Sequence, residues 1–134
     1  MNKSHTPKKF NIFISHSRQD REWTRQLTTA LRGRGLSVWL DEDQIKPGEE
    51  WGRKILEGLQ KSSHVVFLVG RGAAGSNAVA LELGMALAAG KRIIPVIDTG
   101  VARDDIPGPI RRRQYLKRGD PKTVAEEIAD AIAA

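Results

Sequence analysis

The sequence predicts a doubly wound α/β domain: a parallel five-stranded sheet with helices on both faces. Three observations predict it. Short apolar runs alternate with amphipathic stretches in a regular strand–helix rhythm. The strand-like runs are apolar throughout rather than alternating, as strands covered on both faces must be. The chain has 134 residues, enough for one core, and shows no internal repeat.

The elements follow in order. Residues 1–8 are polar and basic and read as a loose lead-in; the domain is expected over 9–134. Phe10–Ser15 (FNIFIS) is a buried strand. Trp23, Leu27, Ala30 and Leu31 recur at helical spacing from about Asp20, and Gly33 and Gly35 close that helix. Ser17 and Asp20 have the spacing of a capping box, with Asp in place of Glu or Gln. Leu36–Leu40 is the second strand, followed by the acidic run Asp41–Asp43 and the turn Gln44–Gly48. Trp51, Ile55 and Leu59 mark a helix from about Glu49 to Lys61. Val65–Val69 is the third strand, with His64 before it, and a loop runs from Gly70 to Ser76. A helix over Asn77–Ala89 ends at Gly90, and Arg92–Ile97 is the fourth strand. Pro95 implies a bulge or strand end there, because proline cannot donate to a ladder. Gln114–Leu116 suggests a short fifth strand. Asp120 as N-cap and Pro121 at the first helical position open a last helix with the stripe Val124, Ile128, Ala131 and Ile132. The strand order expected is the flavodoxin-like 2-1-3-4-5.

Composition excludes several functions. There is no cysteine, hence no disulfide scaffold, thiolate metal site or cysteine nucleophile. No carboxylate–histidine spacing suggests a metal site. No apolar run has the ~20 residues a membrane span needs, and the polar N-terminus has no signal-peptide core, so a cytoplasmic location is expected. The formal charge of +6 raises the question of an acidic partner. Arg111–Arg113 and Lys117–Arg118 carry part of it, outside the expected pocket, and aromatics are only 5%, so no nucleic-acid partner is expected.

In an open parallel sheet, ligands bind beyond the carboxyl ends of the strands, near the switch point between strands 1 and 3. The loops there hold Ser15, His16, Ser17, Arg18, Asp41, Gly72, Gly75, Ser76 and Asn77. Gly70–Gly75 (GRGAAG) does not match a dinucleotide fingerprint in spacing or position and reads as a flexible loop. Glu82 is the sole charge in SNAVALELGMALAAG, and its helical neighbours Ala78, Val79, Met85 and Ala86 offer it no partner. Either it lies on a thin solvent stripe, or it needs water, a partner from elsewhere or a ligand.

Three segments together resemble the Toll/interleukin-1 receptor (TIR) domain, bacterial type. FNIFISHSRQD (Phe10–Asp20) is similar to its first box, LSVWLDEDQIKPGEEW (Leu36–Trp51) to its second, and SNAVALEL (Ser76–Leu83) to the segment with its catalytic glutamate. The resemblance implies cleavage of NAD⁺ between nicotinamide and ribose. NAD⁺ would be the substrate, no separate cofactor would be needed, and Glu82 would be the catalytic residue. It places Ser15, His16, Arg18, Asp41, Trp51 and Ser76 at the substrate. Trp51 also reads as a core anchor of its helix. The resemblance makes Ile45, Lys46, Pro47 and Gly48 an interaction loop for self-assembly with other TIR domains, with a fused or separate sensor domain as trigger. Active members carry an aromatic four residues before the glutamate, where this chain has Ala78. Either another aromatic or a neighbouring subunit fills that place, or the domain is a non-enzymatic docking module. A nucleoside or nucleotide N-glycosidase is a third class on the same sheet.

Overall fold

A computed structural model of the chain describes residues 10–40, 50–70 and 77–133. The elements are β1 (Phe10–Ser15), α1 (Arg21–Gly33), β2 (Val38–Leu40), α2 (Trp51–Lys61), β3 (Ser62–Val69), α3 (Asn77–Ala88), β4 (Arg92–Ile97), α4 (Gly108–Arg111), β5 (Leu116–Lys117) and α5 (Pro121–Ala133). The five strands form one parallel sheet in the order β2-β1-β3-β4-β5, the order expected.

Alternate strand residues face opposite sides and so divide the core in two. Ile12 and Ile14 of β1, with Val66 and Leu68 of β3, pack against Leu27 and Leu31 of α1 and Val124 and Ile128 of α5. Phe13, Val65, Phe67 and Val69 face the other way, against Ile55 and Leu59 of α2 and Leu83 and Ala86 of α3. On that second side the rings of Phe13 and Trp39 stack 4.9 Å apart. Gly58 makes room for them: a Cβ there would lie 2.6 Å from the Trp39 ring.

Helix ends follow the local sequence. After α1, Gly35 adopts φ +84°, its N–H donates to the Arg32 carbonyl, and that of Leu36 donates to the Leu31 carbonyl. After α3, Gly90 at φ +68° does the same with Leu87, and Lys91 with Ala86. Both are six-residue closures that only an unhindered left-handed residue makes without strain. The Asp120 carboxylate accepts from the Thr123 N–H at 3.3 Å, capping α5 as expected.

Five details differ from expectation. The strand predicted from Leu36 begins at Val38, because Leu36 is spent on closing α1. The strand predicted from Val65 begins at Ser62, so His64 lies within it, paired with Ile12 and Arg92; polar residues at the amino edge of the sheet had hidden three of its positions. The fifth strand is Leu116–Lys117 rather than Gln114–Leu116. β4 runs unbroken through Pro95, which is paired in register with Phe67; β5 pairs only with Val96 and Ile97, so no ladder is required on that side of the proline. The capping box does not form. A 3₁₀ turn over Arg18–Asp20 precedes α1, and the Ser17 hydroxyl donates to the Asp20 carboxylate instead of to a backbone group.

Among the described residues, no helix is long and apolar enough to cross a membrane.

Candidate functional site

β1 ends at Ser15, beside Phe67 of β3, at the carboxyl edge of the sheet where the strand order reverses. α3 follows β3 and packs back onto β1. This crossing brings Ser15 and Glu82, 67 residues apart, into contact: the Ser15 Oγ donates to Glu82 Oε1 at 2.5 Å. Both side chains are buried, Ser15 at 0% and Glu82 at 2% exposure. The solvent-stripe reading of Glu82 is therefore excluded.

The orientation of α3 is the reverse of an ordinary amphipathic helix. Glu82, Leu83 and Ala86 face inward, while Ala80, Leu81, Gly84 and Ala88 face solvent. The helix turns its one carboxylate into the fold and leaves Leu81 52% exposed. Burying a carboxylate costs several kcal/mol before compensation, on the order of the cost of burying any isolated ion after relaxation. The Ser15 hydrogen bond offsets part of that cost, and Glu82 has a further contact besides.

The next residues build a second polar cluster. Ser17 Oγ donates to Asp20 Oδ2 at 2.9 Å, and Arg118 Nη1 meets Asp20 Oδ1 at 2.7 Å. The same guanidinium lies 3.5 Å from Asp98 Oδ2 and 4.9 Å from the centre of the Trp23 ring. The Trp23 indole N–H donates to the Gly119 carbonyl at 3.0 Å. Gly70, the residue after β3, closes the cluster: a Cβ there would stand 2.5 and 2.8 Å from the two Asp20 oxygens. Arg118 therefore belongs to the carboxyl edge beside the first loop, a correction to its place in a remote basic patch. Sequence reasoning missed this clasp because its partners lie 98 residues apart; the signal was Arg118 falling at the exit of β5 as Asp20 falls just beyond that of β1.

The other expected site residues separate. His16 is half-buried beside Ser15, and its Nδ1 is buried with no hydrogen-bond partner among the described residues. Arg18 is exposed on the 3₁₀ turn. Trp51 opens α2. Asp41, Ser76 and the loop Ile45, Lys46, Pro47 and Gly48 lie outside the described residues. His64 sits at the opposite edge: its Nδ1 is 2.8 Å from Ser63 Oγ, and desolvation, with nearby Arg92, holds its imidazole below the usual value. Among the described residues, a hollow lies at the β4–β5 end and another adjoins it at α4; neither is lined by Glu82.

Known proteins share the sequence pattern and the fold. The TIR domain model matches residues 12–132. The chain is 29% identical over 103 residues to the 2′ cyclic ADP-D-ribose synthase BtTIR of Bacteroides thetaiotaomicron, covering 74% of this chain and 36% of that protein. It is 37% identical over 68 residues to the probable 2′ cyclic ADP-D-ribose synthase TcpO of Methanobrevibacter olleyae, covering 50% of this chain and 20% of that one. The chain thus spans only a fifth to about a third of these curated relatives. The TIR domain of the Toll-related receptor TRR-2 from Hydra magnipapillata shares the fold, with TM-score 0.80 at 18% identity over 94% of this chain and all of that one. Matched from within β1 to the last turn of α5, the chain belongs to the TIR domain family.

Proposed function

We infer that the domain cleaves NAD⁺ at the bond between nicotinamide and ribose, with Glu82 as the catalytic carboxylate. The observation that carries this reading is Glu82 itself, the one charge of an apolar helix, buried against Ser15 at the switch point of the sheet. The relatives named as 2′ cyclic ADP-D-ribose synthases support it.

The chemistry needs little more than a fixed negative charge. As the C1′–N bond breaks, its electron pair neutralises the pyridinium ring, so nicotinamide leaves without a proton donor. The ribose becomes an oxocarbenium-like cation, as in glycoside hydrolysis. A carboxylate held away from bulk water stabilises that cation more than it stabilises bound NAD⁺. Ser15 fixes Oε1 and with it the Glu82 rotamer. Attack on C1′ by water gives ADP-ribose; attack by a ribose hydroxyl gives a cyclic isomer. His16, whose Nδ1 has no hydrogen-bond partner among the described residues, and Arg18 on the adjoining turn are substrate contacts in this reading, as are Asp41, Trp51 and Ser76. No metal or separate cofactor takes part.

Self-assembly activates the domain, through Ile45–Gly48 and the outward face of α3, in antiphage or cell-suicide signalling triggered by a sensor. A docking role without catalysis is the second reading. Leu81 of α3 at 52% exposure and Leu56 of α2 at 43%, on helices that pack together, favour a protein partner in either case.

The test incubates wild type and Glu82→Gln with NAD⁺, dilute and concentrated, and follows nicotinamide by chromatography. Wild type releases nicotinamide, most when concentrated, and Glu82→Gln does not. Wild-type inactivity in both soluble and forcibly clustered protein rejects catalysis and leaves the docking module.

A further inference from the structure

The exit of β4, the 3₁₀ turn Arg103–Asp105, α4 and β5 enclose a hollow of about 420 Å³. Its floor is apolar, formed by Ile97, Val101 and Ile106. Tyr115, the chain's single tyrosine, stands at its wall, half exposed. A second hollow of about 500 Å³ adjoins it. Arg103 and Arg111 line both. Lys117 adds a third cation to the first hollow, against one carboxylate, Asp98.

These cations are not consumed by the fold. Among the described residues, Arg103, Arg111 and Lys117 form no salt bridge, whereas Asp98 is drawn toward Arg118 at 3.5 Å. The Arg111 Nε donates to the Ile106 carbonyl at 2.9 Å. That bond fixes the guanidinium and leaves its terminal amino groups for another acceptor. Two arginines lining the same hollow suit the oxygens of a phosphate, which they can grip in pairs. The apolar floor and the tyrosine ring suit a flat heterocycle. The volume falls within the roughly 300–1,000 Å³ of small-ligand sites. An inorganic anion would leave floor and ring unused. A nucleic-acid strand needs a row of stacking platforms along an open groove, and this hollow has one ring.

We propose that this end of the domain is a second ligand site, taking a nucleoside 5′-phosphate with its base over Ile97 and Tyr115 and its phosphate between Arg103 and Arg111. It is separate from Glu82, and its occupancy does not depend on NAD⁺ cleavage.

AMP tests it without turnover, because AMP has no nicotinamide to lose. Calorimetric titration of the full chain with AMP gives saturable binding in wild type and in Glu82→Gln. Arg103→Ala and Arg111→Ala each weaken it about tenfold, the usual value of a charge-assisted bond. Tyr115→Ala weakens it less, and inorganic phosphate and adenosine each bind far more weakly than AMP. The three substituted side chains other than Glu82 are exposed or half exposed, and circular dichroism checks the fold of each variant. The proposal is overturned if millimolar AMP does not bind. It is equally overturned if AMP binding ignores the arginine substitutions but is lost in Glu82→Gln, which puts AMP at the other site. Phosphate binding as tight as AMP reduces the hollow to an anion trap, and tighter, salt-sensitive binding of a short single-stranded oligonucleotide assigns it to nucleic acid; either result rejects a nucleoside phosphate site.

Discussion

Two buried carboxylates lie along one edge of the sheet, and each takes a hydrogen bond from a serine at or just beyond the end of β1. Ser15 donates to Glu82 and Ser17 donates to Asp20. Their settings differ. Asp20 is matched by Arg118 at 2.7 Å and walled in by Gly70, so the fold itself answers its charge and leaves no space for a ligand. Glu82 arrives on a helix that exposes a leucine in order to bury an acid, an arrangement that packing alone would reverse. Burial of an acid is thus not by itself a sign of chemistry; its place in the fold must also be weighed. Asp20 ties distant segments together, whereas Glu82 is the acid proposed to meet the reacting cation.

The largest expected effect separates the two in activity. Glu82→Gln keeps an oxygen to accept from Ser15 and removes the charge. NAD⁺ turnover falls by at least about 10³-fold, the scale of losing a preorganised charge partner in a transition state, or about 4 kcal/mol of barrier. Urea unfolding shows a change in stability below about 1 kcal/mol, since a buried charge is exchanged for a neutral amide of the same shape. Retained turnover would erase the contrast with Asp20.

The reverse variant comes next. Arg118→Ala leaves Asp20 buried without its cation and costs roughly 3 kcal/mol in urea unfolding, the usual result of breaking one side of a buried pair. Turnover by the folded fraction is unchanged. A loss below about 1 kcal/mol would make the clasp an ordinary surface ion pair. Gly70→Ala probes the same cluster from the backbone. Its methyl would meet carboxylate oxygens already held by Arg118 and Ser17, so they have little freedom to move aside. A cost of about 2 kcal/mol is expected from such overpacking. If the clasp is the reason, Gly70→Ala and Arg118→Ala are not additive, whereas a full sum of the two losses would make Gly70 independent of Asp20.

The contrast also explains which parts were legible in the sequence. The sheet was readable because continuous apolar runs such as Phe10–Ser15 and Val65–Val69 state their burial directly, and β1 and β4 have the predicted bounds. Glu82 stood out as a single charge in an apolar helix, but the pattern alone left a solvent stripe open, and only the packing of its helix on β1 shows it buried. The Asp20–Arg118 pair was not. Arg118 follows four other cations between Arg111 and Lys117, and nothing local marks which of the five turns inward. The register of β5 against β4 decides that, and a strand of two residues has no pattern to read. The start of β3 was hidden for a related reason: Ser62, Ser63 and His64 are polar at the sheet's amino edge, yet they extend the strand beside β1 and β4.

The smallest effects compare the two serines directly. Each donates one hydroxyl to a buried carboxylate, and losing such a bond costs about 1 kcal/mol, somewhat more where the acceptor is charged. Ser17→Ala removes one of two described partners from Asp20 and leaves the guanidinium in place, so its loss appears in stability alone. Ser15→Ala releases Oε1 of Glu82, so the carboxylate gains rotamer freedom where the reaction needs it fixed. A similar loss in urea unfolding is expected for both variants, with kcat falling about tenfold for Ser15→Ala only. The two hydroxyls stand two residues apart, at and just beyond the end of β1, and differ chiefly in the acid they hold. Equal kcat for the two variants would therefore mean that Ser15 is structural, as Ser17 is, and that Glu82 is positioned by its other contacts.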